Sequence, residues 1–117
     1  MKKLIISSAF IGRGRFVRQA GGIHRYGEVM LSIENSLGDL AFSWQVSQEQ
    51  IPDIFKASVF NAVKRCFEIN GSLDGFASSG LLVRILDGEF HEADSNEGSF
   101  MIATFMAISN ALASRNA

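Results

Sequence analysis

Residues 28–46 read EVMLSIENSLGDLAFSWQV, and this stretch decides the fold class. Its first half, residues 28–34, alternates in hydropathy as a half-buried strand does, with three apolar residues on one face: Val29, Leu31 and Ile33. Residues 40–46 alternate in the same way, and residues 35–39 between the two runs have turn chemistry. The stretch therefore predicts two strands, and their closeness in sequence predicts that they pair as an antiparallel hairpin.

Downstream of this stretch the period changes from two to that of a helix. Ser47 and Gln50 have the spacing of a capping box, and Pro52 suits a first helical turn, where a missing N–H costs nothing. Asn70 and Gly71 are typical of a helix end. One helical face carries the apolar residues Ile51, Phe55, Val59, Ala62, Val63 and Cys66. The sequence therefore predicts one amphipathic helix here.

The C-terminal third predicts a strand and a second helix. The strand has apolar residues on both faces, Leu81, Val83 and Ile85 against Leu82 and Leu86, which is typical of a central strand. Asp94 or Ser95 is the expected cap of a helix over residues 99–114 that is apolar nearly all round.

Upstream of residue 28 the pattern is weaker. It predicts strands over residues 3–11 and 16–20, a turn at residues 12–15 (GRGR) and a loop over Gly21–Gly27. The whole order is typical of an α+β two-layer sandwich, with a mostly antiparallel sheet and two helices on one face. With no repeat and no linker, residues 1–117 are predicted to form a single domain.

The composition excludes several classes of protein. The chain is 47% hydrophobic with one proline, unlike a disordered segment, and its single cysteine points to a reducing compartment. The sequence has neither a secretory signal nor an apolar run long enough for a membrane span, so we expect a cytoplasmic protein without a membrane partner. There is no phosphate-binding loop, which predicts no GTP binding and no GTPase activity.

The net charge of −1 conceals an uneven distribution. Residues 1–26 hold six basic residues and no acid, whereas residues 27–117 hold the other five basic residues and all 12 acids. The basic segment is either a surface that faces phosphates or a set of arginines that folding pairs with Glu28 or Glu34.

Two stretches resemble a known family. Residues 15–22 (RFVRQAGG) with residues 26–29 (YGEV), and residues 88–97 (GEFHEADSNE), resemble the fourth domain of bacterial elongation factor G. The resemblance runs from about residue 13 to residue 113. It implies a sheet covered on one face by two helices, with a left-handed βαβ crossover, in a domain that reaches into the decoding site of the small ribosomal subunit.

The family's contact tip consists of two loops. The resemblance places them at Gly21–Gly27 and Glu89–Asp94, with His91 at the family's histidine position. It therefore implies the ribosome- or RNA-binding residues Gly21, Gly22, His24, Arg25, Tyr26 and His91. Residues 23–25 (IHR) depart from the family's Arg-Gly-Gln, which puts the tip conformation in question. Tyr26 either supports the loop or stacks on a base.

The sequence contains no recognisable set of catalytic residues. Cys66 lies on an apolar helix face without a neighbouring base, and two histidines are too few for a metal site. We therefore expect a stand-alone, non-enzymatic relative of the factor's fourth domain, with no cofactor and no metal, that binds the ribosome or structured RNA.

A protein-interaction module that kept the fold without ribosome binding is the alternative. The chain stops where the family has a last strand, which predicts an open sheet edge and surplus apolar surface on the last helix. A homodimer through that helix or the sheet edge would follow, unless residues 4–11 fill the vacancy.

Overall fold

The computed structural model describes residues 1–114, which form four strands and two helices. The strands are β1 (Phe10–Ala20), β2 (Ile23–Asn35), β3 (Ala41–Trp44) and β4 (Leu81–Glu89), and the helices are α1 (Lys56–Arg65) and α2 (Glu97–Ser114). The predicted α+β class, with a mostly antiparallel sheet and two helices, is confirmed.

The sheet order is β1-β2-β4-β3, so the predicted hairpin of residues 28–46 is wrong. β4 lies between the two runs, antiparallel to β2 and parallel to β3. Alternating hydropathy identifies the buried face of a strand but not its neighbour in the sheet. The patterns of β2 and β3 are equally compatible with pairing to β4 and with pairing to each other. β4 has neighbours on both sides, which confirms the central strand, and the β3–α1–β4 segment is the expected βαβ unit.

A bulge adjusts the pairing of β2 with β4. Met30 pairs with Asp87 whereas Leu31 pairs with Ile85, so Leu86 is an extra residue in β4. Such a bulge re-aims the side chains that follow it. Here it brings Asp87 to the sheet face away from the helices, which we call the open face.

β1 is a continuous strand, so the predicted turn at residues 12–15 is wrong. Gly12 and Gly14 face α2 at close range: a Cβ at Gly14 would lie 2.6 Å from Ala107 N and closer still to Ala103 O. The two glycines therefore serve helix-on-strand packing, and the residues between and beside them, Arg13 and Arg15, face the open side by alternation. We call the side covered by α2 the helix face.

The segment before β1 is not the predicted strand over residues 3–11, because only residues 10 and 11 belong to β1. Lys2 forms an isolated bridge with Phe76, and Leu4 is buried in the core. The Asn35 side chain accepts a hydrogen bond from Ile6 N and donates one to Leu4 O, at 2.8 and 2.9 Å. The segment is thus held across the fold rather than filling an edge of the sheet.

The helix ends differ from those predicted. The Ser47–Gln50 box closes a turn, since Ser47 N donates to Gln50 Oε1 at 2.8 Å, but α1 begins only after a 3₁₀ turn at Asp53–Phe55. α2 is capped by Asn96 rather than by Asp94 or Ser95: its Oδ1 accepts from Ser99 N at 2.8 Å. The predicted apolar face of the first helix is confirmed, because all six of its residues are buried.

The core lies between the sheet and the two helices. Fully buried side chains come from β2, β4, both helices and the segments that flank α1, with the largest being Phe100, Leu31, Ile33, Ile51, Leu73, Leu81, Ile85 and Ile108. Each such side chain contributes roughly 1.5–3 kcal/mol by leaving water. This packing holds α2 rigidly along β1 and β2, which fixes the end of the sheet where the candidate site lies.

Candidate RNA-binding site

The predicted Gly21–Gly27 loop is in fact a hairpin. Only Gly21 and Gly22 form the turn, both with positive φ (57° and 79°), and β2 starts at Ile23. Two-residue turns that need positive φ at both positions favour glycine. The pairing of β2 with β4 begins at Glu28, so residues 18–25 extend past the rest of the sheet as a two-stranded projection, all of it exposed. We call residues 18–25 the hairpin arm.

The second predicted loop, Glu89–Asp94, begins one residue later than predicted, because Glu89 ends β4. Its residues 90–94 pack against the base of this arm. Tyr26 N donates to Asp94 O at 3.0 Å, and Ser95 Oγ donates to Tyr26 O at 2.8 Å. His91 N in turn donates to Ser95 Oγ at 3.0 Å. Two segments more than 60 residues apart in sequence are therefore joined by backbone-anchored hydrogen bonds.

Tyr26 is the centre of this junction. It is 3% exposed, and its ring stacks on His91 with centroids 3.7 Å apart. Its hydroxyl donates to Glu89 Oε2 at 3.1 Å, and Arg15 Cζ lies 5.4 Å from the ring centroid. This geometry fits a role for Tyr26 in loop support rather than in base stacking, because neither its ring nor its hydroxyl is available to a base.

These contacts shift the pKa values of Tyr26 and Glu89. Burial raises the pKa of Tyr26 above its usual range, so the hydroxyl stays protonated and remains a donor. The hydrogen bond from Tyr26 holds the pKa of Glu89 below its usual range, with a smaller contribution from His91. The His91 Nε2 atom lies 3.5 Å from Glu89 Oε1, which holds the imidazole ring beside a carboxylate within the junction.

The arginines of the basic segment divide between the two faces of β1. Arg13 lies on the open face between Glu28 (3.1 Å) and Asp87 (2.9 Å), and Arg15 donates to Tyr26 Oη at 3.5 Å. The ion-pair reading is thus correct for Arg13 with Glu28, whereas Glu34 pairs with Arg84.

Arg18 and Arg25 have a different environment. They are directly opposite each other in the β1–β2 register, and across residues 1–114 neither has a carboxylate within 4.0 Å. Arg25 Nη1 donates only to His24 O, at 2.8 Å. The sequence named Arg25 as a tip contact and Arg18 only as part of the basic segment. The signal was present, because a two-residue Gly21-Gly22 turn fixes the register that pairs the two arginines.

Other candidate chemistry has its own place in the structure. Cys66 is buried, which raises its pKa to about 11 and keeps it an unreactive thiol at neutral pH. It lines a cavity of about 320 Å³ at the end of α1, together with Phe105 and Gly71.

Within residues 1–114, no group of three or more His, Cys, Asp or Glu side chains is arranged to hold a metal ion. The described helices include none with the length and apolarity needed to cross a membrane.

The apolar surface of α2 is mostly covered. Phe100 and Ile108 are fully buried, and Ile102 and Met106 remain exposed by 39% and 36%. The free edge of β1 carries arginines along its length, and charged side chains on an edge strand discourage pairing with another sheet. Ile102 and Met106 lie one turn apart, so part of the surplus apolar surface predicted for the second helix is present.

The chain is similar to known proteins along nearly its whole length. The family described as "Elongation factor G, domain IV" matches residues 6–115. Elongation factor G of Petrotoga mobilis is 34% identical over 103 residues, which make up 85% of this chain and 15% of that protein. Elongation factor G of Aquifex pyrophilus is 33% identical over 111 residues, 93% of this chain and 16% of that protein.

A solved structure shows the same fold. A protein of Thermus thermophilus superimposes with a TM-score of 0.77 at 28% identity, over 90% of this chain and 16% of that one. The chain thus spans 15–16% of the length of these relatives.

Proposed function

The chain belongs to the elongation factor G domain IV family, and from that premise we propose that it is a translation-related domain that binds the ribosome or structured RNA without catalysing a reaction. The contact surface in this proposal is the end of the sheet made by the hairpin arm and the loop of residues 90–94. Recognition is by shape and by contact with phosphates, as is usual for structured RNA.

One observation carries the proposal: the two loops named by the family resemblance meet in this fold. The hydrogen bonds between Tyr26, Asp94 and Ser95 and the Tyr26–His91 stack join them into one rigid base. From this base the arm projects, and the molecule is correspondingly elongated, at 43 × 28 × 25 Å. A narrow, exposed, two-stranded projection is suited to insertion into a concave RNA surface.

Within this surface the charges favour the hairpin arm, because the loop of residues 90–94 contributes Glu92 and Asp94. Residues 18–25 hold Arg18, Arg25 and His24 and no acid, whereas all 12 acids of the chain lie after residue 27. A polyanion is therefore repelled by most of the molecule and attracted at the arm. This distribution predicts binding through one end rather than non-specific coating of the protein by RNA.

Co-sedimentation with small ribosomal subunits, at low and at high salt, tests the proposal. We expect co-sedimentation at low salt that weakens steeply as salt rises, because contacts with phosphates release counterions. Arg25→Ala and His91→Ala should each weaken it, the first by removing a charge and the second by loosening the base of the arm. Absence of the protein from the subunit pellet at low salt would refute the proposal.

Self-association through α2 or the sheet edge is the competing function. It predicts a dimer in sedimentation velocity that persists in high salt, since burial of Ile102 and Met106 is not weakened by screening. A monomer at all salt concentrations removes that alternative and leaves RNA binding as the function to test.

A further inference from the structure

We propose that Arg18 and Arg25 form a phosphate clamp on the helix face of the hairpin arm, which grips the RNA backbone while Tyr26 and His91 only position the arm. This inference rests on the proposed function and assigns its contact residues. It differs from the assignment implied by the family resemblance, which named Tyr26 and His91 among the contacts and Arg18 only as part of the basic segment of residues 1–26.

The register places both guanidinium groups on the same side of the arm. Arg18 pairs with Arg25, and the next pair on that face is Phe16 with Gly27. Gly27 packs on the backbone of Ser99 at the start of α2, which identifies this side as the helix face. Arg18 and Arg25 then line one concavity of about 180 Å³ with Phe16, Asn96, Gly98, Ser99 and Ile102.

This arrangement is unfavourable in the free protein. Like charges directly opposite on paired strands are destabilising. The other arginines of β1 are compensated, Arg13 by two carboxylates and Arg15 by Tyr26, but Arg18 and Arg25 have no such partner among residues 1–114. Asp94 lines a second, smaller concavity with both arginines, and Glu97 lies in the first turn of α2, but neither carboxylate is within 4.0 Å of either guanidinium group. An anion between the two guanidinium groups would remove this repulsion.

The chemistry of the concavity favours a phosphodiester. A guanidinium offers paired N–H donors that match phosphate oxygens in a bidentate geometry. Two guanidinium groups that face each other across a strand pair surround one phosphate or hold two consecutive ones. The half-buried Phe16 and the exposed Ile102 form the apolar wall of the same concavity, against which the C–H groups of a ribose can pack.

Tyr26 is excluded from direct contact because it is buried, its ring stacks on His91 at 3.7 Å and its hydroxyl donates to Glu89. His91 is exposed, and we assign it the same positioning role because its ring stacks on Tyr26 and its Nε2 atom lies 3.5 Å from Glu89 Oε1. A positioning role and a phosphate contact have different signatures, because only the loss of a phosphate contact lowers the number of counterions released on binding.

Fluorescence anisotropy with a short labelled RNA stem-loop, titrated at several salt concentrations, tests the clamp. Arg18→Gln and Arg25→Gln should each weaken binding about tenfold, and the double variant should lower the slope of log affinity against log salt by roughly 1.8, at about 0.9 per phosphate contact. His91→Ala should weaken binding without changing the slope. Arg65→Gln is the matched control, since it removes the same charge at the far end of α1 and should change neither quantity.

The folding control is part of the design. Removing one of two facing arginines relieves repulsion, so Arg18→Gln and Arg25→Gln should melt no lower than the wild type in circular dichroism. Lower affinity with unchanged or higher melting temperature therefore identifies a lost contact rather than lost structure.

Each remaining outcome overturns a defined statement. If the wild type binds the stem-loop and the double variant keeps both its affinity and its salt slope, the clamp is wrong and the proposed function stands. If the wild type binds neither the stem-loop nor the subunits, both fall. If polyglutamate displaces the RNA as effectively as unlabelled RNA does, the site recognises negative charge alone and the phosphate assignment is wrong.

Discussion

Replacing Gly14 by alanine should destabilise this protein strongly, although alanine is usually the better residue in a strand. Glycine costs roughly 0.5–1 kcal/mol relative to alanine in a strand because the unfolded chain has more freedom to lose. Gly14 has no positive φ, so its backbone conformation is open to alanine. A calculation that considered only the local chain would therefore predict a gain.

The packing reverses the sign. The new Cβ would lie 2.6 Å from Ala107 N and closer still to Ala103 O, and both are backbone atoms in the middle of α2. Ordinary contact between such atoms needs about 3.5 Å, so the whole helix must move away from β1. That movement opens the interface at fully buried residues of α2: Phe100, Ala103, Ala107, Ile108 and Ala111. Overpacking costs typically 1–3 kcal/mol, and with no flexible side chain to yield we expect about 3 kcal/mol.

Urea denaturation followed by circular dichroism measures this loss, and thermal unfolding should show a decrease in Tm of roughly 12 °C, at about 4 °C per kcal/mol for a domain of this size. Gly98→Ala is the matched control. Its Cβ would have only Asn96 Oδ1 nearby, at 3.5 Å. The first turn of α2 should therefore gain about 0.5 kcal/mol. A Gly14→Ala variant within about 0.5 kcal/mol of the wild type, on the scale where surface changes fall, would refute the close-packing account.

Three further predictions concern single side chains. Arg13 lowers the pKa of Asp87 through its hydrogen bond. The Asp87 carboxylate therefore stabilises the fold at pH values above its unfolded pKa, and this stabilisation is lost as pH falls through the lower folded pKa. Arg13→Gln should raise the pKa of Asp87 measured by NMR titration, and an unchanged pKa would disprove the pairing. Cys66, buried and with its pKa raised to about 11, should react with a thiol reagent at about pH 8 only after urea is added, and rapid labelling of the folded protein would contradict its burial. Tyr26→Phe keeps the ring stack but removes the hydrogen bond to Glu89. It should lower the free energy of unfolding by about 1 kcal/mol and raise the pKa of Glu89. An unchanged pKa of Glu89 would show that the 3.1 Å contact does not form in solution.

Much of the secondary structure could be predicted because its signals are local. The apolar face of the first helix, the central strand over residues 81–86 and the apolar second helix follow from periodicity within a few turns or a few residues. The family resemblance also identified the two segments that meet at the candidate site. The role of Tyr26 in that meeting was left between support and base stacking, because stacking on His91 depends on a residue 65 positions away.

The sequence by itself determined the fold class, the buried faces and the existence of a basic segment near the N-terminus. The tertiary structure decided which strand pairs with which, since alternation in β2 and β3 is satisfied equally beside β4 or beside each other. It also decided that the glycines at 12 and 14 serve packing rather than a turn, because only the approach of α2 distinguishes these uses. The division of the arginines followed from the same geometry. Alternation placed Arg13 on the open face beside its carboxylates, whereas Arg18 and Arg25 face each other on the exposed arm, where no carboxylate of the described chain lies within 4.0 Å of them.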